Sequence, residues 1–147
     1  MKLPNNTNIY LTYAGSLPFI LCALFLFNGL QTLPYFGDTA KVLKVYGLVI
    51  ASFMAGVHWG QYLAGRVEFP INLPISSNVI AIFVWASFLM FPIRWYLVSL
   101  ILVFIILLLI DFFLWRRKQL SRFYFWSRVV VTITVLLSLV ISSIMLE

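Results

Sequence analysis

Three ionisable residues lie inside runs that are otherwise apolar. They are His58 in SFMAGVHWG, Asp111 in VFIILLLIDFFLW and Arg128 in FYFWSRVVVT. His58 is the single histidine of the chain. An imidazole exchanges protons near neutral pH, and a carboxylate with a guanidinium forms an ion pair. Placed together, these groups suit proton relay, ligand binding or a structural brace. An isolated charge at the centre of a spanning helix costs about 2.5–3.5 kcal/mol on insertion scales, so Asp111 and Arg128 are expected to pair.

The elements that carry these residues must be membrane helices. Of 147 residues, 63% are hydrophobic and 10% charged, with a mean hydropathy of +1.05. Soluble domains run near 45–50% apolar and about 25% charged, so this chain cannot cover itself with a water-facing surface. Five runs are long enough to cross a bilayer, at residues 9–28, 41–64, 74–91, 94–115 and 122–146. The expected fold is an all-α integral membrane protein, one domain made of a five-helix bundle. The fourth run, closed by Trp95 and Trp115, is the clearest. Pro18 is expected to kink the first. That run has no small-residue cleavage site after it and is read as a retained span.

Basic residues at the helix ends orient the bundle. Lys2, Arg66, Arg116, Arg117, Lys118 and Arg122 fall on one side, and Lys41, Lys44 and Arg94 on the other. The excess predicts an amino terminus inside and a carboxyl terminus outside. The net charge of +6 therefore reflects topology, and no nucleic-acid partner is expected. The lone Cys22 sits in an apolar run and supports neither a disulfide framework nor a thiolate metal site.

Counting along the antiparallel hairpin of the last two helices, Asp111 lies five residues before Arg116 and Arg128 six after Arg122. Both are then roughly 7–9 Å below the same boundary. His58 is expected at a similar depth. Trp59, Gln61, Tyr62, Tyr13, Ser77 and Asn78 fall in the same inner half and complete a candidate polar cluster for binding or proton transfer. In an alternative reading, Phe123, Tyr124, Phe125 and Trp126 mark the interface, with Arg128 snorkelling and Asp111 among headgroups. Ser52, Gly56 and Gly60 recur at four-residue spacing, as do Gly47, Ala51 and Ala55. Such small-residue lines let membrane helices approach closely.

The stretches YAGSLPF at 13–19, SFMAGVHWG at 52–60, Asp111 and FWSRVVVT at 125–132 together resemble a domain-of-unknown-function membrane family of bacteria and mitochondria. That family includes transmembrane protein 69 of animals. Here Trp126 is shifted relative to the family's spacing before Arg128 and Thr132. The resemblance implies five helices in a bacterial or mitochondrial inner membrane, implies no activity, and marks His58, Trp59, Asp111 and Arg128.

No H-E-x-x-H, Gly-rich phosphate loop or G-x-S-x-G is present, which leans against an enzyme. One histidine and four acidic residues cannot build a protein-only metal cage of the usual kind. Three functional classes stay open. The first is a binding, scaffold or assembly protein that contacts membrane lipids, including anionic headgroups at the inner face, or a membrane protein partner or second copy of itself. The second is a pH-sensitive channel or transporter built on His58 and the Asp111–Arg128 pair. The third binds haem or quinone, although no cofactor is required by the sequence.

Overall fold

A computed structural model describes residues 5–65 and 72–146. Lys2 and Arg66, two of the basic residues used for orientation, lie outside the described residues. Among the described residues, six helices account for five spans: α1 (Asn5–Ala14), α2 (Leu17–Phe27), α3 (Thr39–Leu63), α4 (Leu73–Met90), α5 (Ile93–Arg116) and α6 (Arg122–Met145). All five spans are long and apolar enough to cross a membrane, the first running from Tyr10 to Phe27 through both α1 and α2.

The first span breaks because Pro18 has no N–H to return to the carbonyl of Ala14. The break falls at Gly15 and Ser16, and the freed backbone groups find other partners. The Ser16 hydroxyl donates to the Tyr13 carbonyl at 2.7 Å, and the Tyr46 phenol of α3 donates to the Gly15 carbonyl at 3.0 Å. A membrane tolerates a broken helix on this condition.

After α2, Gly29 adopts φ 74° and closes the helix: its N–H reaches the Leu26 carbonyl, and the Leu30 N–H reaches that of Phe25. The loop that follows contains a small antiparallel hairpin, β1 (Thr32–Leu33) against β2 (Gly37–Asp38), which the sequence reading did not anticipate. Asp38 then caps α3 by accepting from the Ala40 N–H at 3.0 Å.

In the bundle, α5 is the central element, with half of its span buried. Tyr96, Leu100, Val103, Leu107, Asp111 and Leu114 line its buried face. Helix α5 packs against α3, α4 and α6, while α2 packs between α3 and α6 on the opposite side. Phe19 of α2 meets Phe104 of α5 edge-on across the middle at 5.9 Å. Helices α3 and α6 are thus diagonal partners, with hardly any direct backbone packing among the described residues. For half of the bundle α2 fills the gap between them. Beyond the Gly15–Ser16 break, α1 leans chiefly on α6 among the described residues, and the gap opens.

The small-residue line of α3 that carries the packing is Gly47, Ala51 and Ala55, which continues into His58. At Gly47 a Cβ would run into the Leu100 side chain of α5. The expected Ser52–Gly56–Gly60 line does not pack in this way. Gly56 and Gly60 are exposed, and nothing lies within 4 Å of where a Cβ would sit on either. The two lines are chemically alike. The one opposite Leu100 is used, and the other faces outward.

Candidate functional site

His58, Asp111 and Arg128 come together from α3, α5 and α6 at the end of the bundle that carries Arg116 and Arg122. All three are buried, with relative exposures of 1%, 0% and 5%. Asp111 joins the other two through separate oxygens. His58 Nε2 lies 2.9 Å from Oδ1, and Arg128 Nε donates to Oδ2 at 3.0 Å. A buried carboxylate with both oxygens engaged is the arrangement that makes its burial tolerable. The depth argument brought Asp111 and Arg128 to one level, and the ion pair is present there.

With the imidazole neutral, the Nε2–H donates to Asp111 and leaves Nδ1 as a lone-pair acceptor. Nδ1 is buried and has no hydrogen-bond partner. Arg128 is also incompletely satisfied. Its Nη1 reaches only the Met54 Sδ of α3, at 3.4 Å, and a thioether is a weak acceptor. Its Nη2 is buried without any partner. Such orphaned donors are uncommon in native proteins and call for a cause.

A cavity of about 330 Å³ lies beside Arg128, in the gap between α3 and α6. Ile50, Phe53, Met54 and Val57 form its α3 wall; Val131, Thr132 and Val135 form its α6 wall; Phe104 of α5 closes the back. Leu11, Thr12 and Gly15 of the broken first span, with Tyr124, complete the rim. The walls are almost entirely apolar, and Arg128 is the one charged residue on them. From Arg128 to Val135 the cavity runs along eight residues of α6, a rise of roughly 10 Å. His58 does not line it and communicates with it through Asp111 and Arg128.

The other sequence-derived candidates behave differently. Trp59, Tyr62 and Tyr13 are exposed. Asn78 is exposed as well and donates to the Pro74 carbonyl of its own helix at 2.9 Å. These four lie off the triad, because each is turned away from the buried face of its helix. Ser77 is buried and Gln61 half-buried, and the Ser77 Oγ and Gln61 Oε1 have no partner. The alternative in which Asp111 sits among headgroups does not hold, because Asp111 is fully enclosed by protein. Among the described residues, no group of three His, Cys, Asp or Glu is placed to hold a metal.

The model of a family described as protein of unknown function (DUF3429) matches residues 4–144. The chain belongs to the DUF3429 family. No curated protein and no solved structure matches it. Within this DUF3429 member, sequence reasoning missed Met54, Tyr124 and Thr132 as residues of the site. A helical signal was available for each. Tyr124 and Thr132 lie one turn either side of Arg128, and Met54 lies one turn before His58, so each shares a face with a triad member.

Proposed function

We propose that this protein binds a single-chain amphiphile within the membrane, its tail in the α3–α6 cavity and an acceptor oxygen of its head on Arg128. The observation that carries the reading is the buried, unpartnered Nη2 of Arg128 on the wall of an apolar cavity. An unsatisfied cationic donor on the wall of an apolar cavity is the complement of a molecule with one polar end. At about 30 Å³ per water-sized group, the cavity takes roughly eleven such groups. That suits one alkyl chain of moderate length, or one ring, rather than both tails of a phospholipid.

Arg116, Arg117, Lys118 and Arg122 lie at the same end, where each basic residue attracts anionic lipid by about 1 kcal/mol. They support placing that end, with the amino terminus, on the inside of a bacterial or mitochondrial inner membrane. The carboxyl terminus is then outside. The kinship with the transmembrane protein 69 group rests on the motifs quoted above and fits this setting. In this reading Asp111 holds the guanidinium in place and balances its charge, and His58 holds Asp111.

Photocrosslinking with a diazirine-bearing decyl probe tests the proposal in phosphatidylcholine nanodiscs. Label is expected on Phe53, Val57, Val131 and Val135, and it should be lost when the cavity is filled by Thr132→Trp. Even labelling of outward residues such as Phe83, Leu102 and Ile133, unchanged in that variant, would rule the site out.

A further inference from the structure

The charges around the cavity constrain the ligand's head. Asp111 contributes −1 and Arg128 contributes +1, so with His58 uncharged the triad sums to zero. Asp111 has no oxygen to spare, since Oδ1 faces His58 and Oδ2 faces Arg128. The free edge of the guanidinium is Nη1 with Nη2, one on a thioether and one on nothing. That edge presents two parallel N–H donors, the fork that recognises a carboxylate, sulfonate or phosphate bidentately.

An anion seated on Arg128 at this apolar site would leave the site at −1 in a medium of low dielectric, where an unbalanced charge is expensive. The triad contains one nitrogen still able to accept a proton, His58 Nδ1, buried and unpartnered. Protonation there returns the sum to zero. As the ligand's oxygens draw on the charge of Arg128, the carboxylate of Asp111 becomes the counter-ion of the imidazolium. The ionisable groups around His58 can be named for each neighbouring element. Helix α5 supplies Asp111, and α6 supplies Arg128 with Tyr124. Helix α4 has no ionisable side chain along its length, and α2 has only Cys22.

We infer that the ligand's head is an oxyanion held bidentately on the Nη1–Nη2 edge of Arg128, and that its binding takes up one proton at His58. The inference rests on the cavity-binding reading and adds the head's charge and the proton linkage to it. The proton comes from bulk water and no bond in the ligand changes. The site would thus respond to acidification by holding its ligand more tightly.

Decanesulfonate is a suitable probe, because its head stays anionic at every working pH and any proton taken up belongs to the protein. Calorimetric titration of the protein in phosphatidylcholine nanodiscs, in buffers of different ionisation enthalpy, counts protons per ligand. The expected result is close to one proton taken up. Affinity should rise by up to roughly tenfold per unit of pH lowered, over the range where the resting imidazole is neutral. His58→Gln should bind more weakly than wild type, most of all at acidic pH, and should lose the uptake. Arg128→Lys, which retains the charge without the fork, should bind less tightly than wild type.

Decanol separates the two proposals. If decanol enters the cavity and decanesulfonate does not, the oxyanion inference fails and cavity binding stands. Decanesulfonate binding without proton uptake in the wild-type protein, or with uptake that persists in His58→Gln, also overturns the inference. If neither probe binds, both readings fall.

Discussion

Arg128 meets Asp111 side-on, through Nε alone at 3.0 Å, and turns the rest of its guanidinium toward Met54 and the cavity. A forked Arg–carboxylate pair would consume two donors and leave fewer of the guanidinium's N–H groups for the cavity. The side-on geometry instead leaves Arg128 charge-balanced by one neighbour and able to donate to another.

Removing the counter-ion should therefore cost far more than removing the pair. Asp111→Asn leaves a buried guanidinium uncompensated, and the expected loss is about 3–5 kcal/mol of stability. The double change Asp111→Asn with Arg128→Met should recover most of it, because two neutral side chains replace two charges. Thermal unfolding of the purified variants, read as a double-mutant cycle, measures the coupling. Additive losses would mean that the two charges do not depend on each other.

The break in the first span makes a second prediction. Tyr46→Phe removes the phenol that satisfies the Gly15 carbonyl, at a cost of about 0.6–2 kcal/mol on membrane scales. The loss should be local. Hydrogen exchange is expected to speed up in the amides flanking Gly15 and Ser16 while the α5 core stays protected.

Parts of this arrangement were legible in the sequence, and the reasons differ by residue. The five spans follow from hydropathy, which needs no tertiary information. The Asp111–Arg128 contact followed from counting residues back from a shared boundary, and Pro18 marked the first span for a bend. The hairpin at Thr32–Asp38 was hidden, since two-residue strands leave no periodic pattern. The cavity was hidden for a different reason. It exists because α1 leaves α3 at Gly15, and no local pattern records which helices fail to touch.

The choice between the two small-residue lines of α3 was also out of reach, because both satisfy the same spacing and only Leu100 distinguishes them. That makes it testable. Gly47→Ala forces a methyl group against the fully buried Leu100, and overpacking of this kind costs about 1–3 kcal/mol. Gly56→Ala meets nothing and removes the flexibility of an interior helical glycine, so a gain of about 0.5–1 kcal/mol is expected. Opposite signs in an unfolding assay support the packing described. A loss at Gly56 comparable to that at Gly47 would assign the outward line to a contact of its own.

Met54 supplies the last prediction, and it bears directly on the cavity. Its thioether is the partner of Arg128 Nη1 among the described residues, at 3.4 Å, and a ligand that takes both donors of the fork competes with it. Met54→Leu keeps the volume nearly constant, so stability should change by less than about 1.5 kcal/mol. The variant removes the competing acceptor, and decanesulfonate should bind severalfold more tightly than to wild type. Met54→Ala removes the same acceptor but enlarges the cavity, which sacrifices contact with the chain and offsets the gain. If the leucine variant binds more weakly than wild type, the thioether contributes to holding the ligand and the Nη1–Nη2 edge is not the seat of its head.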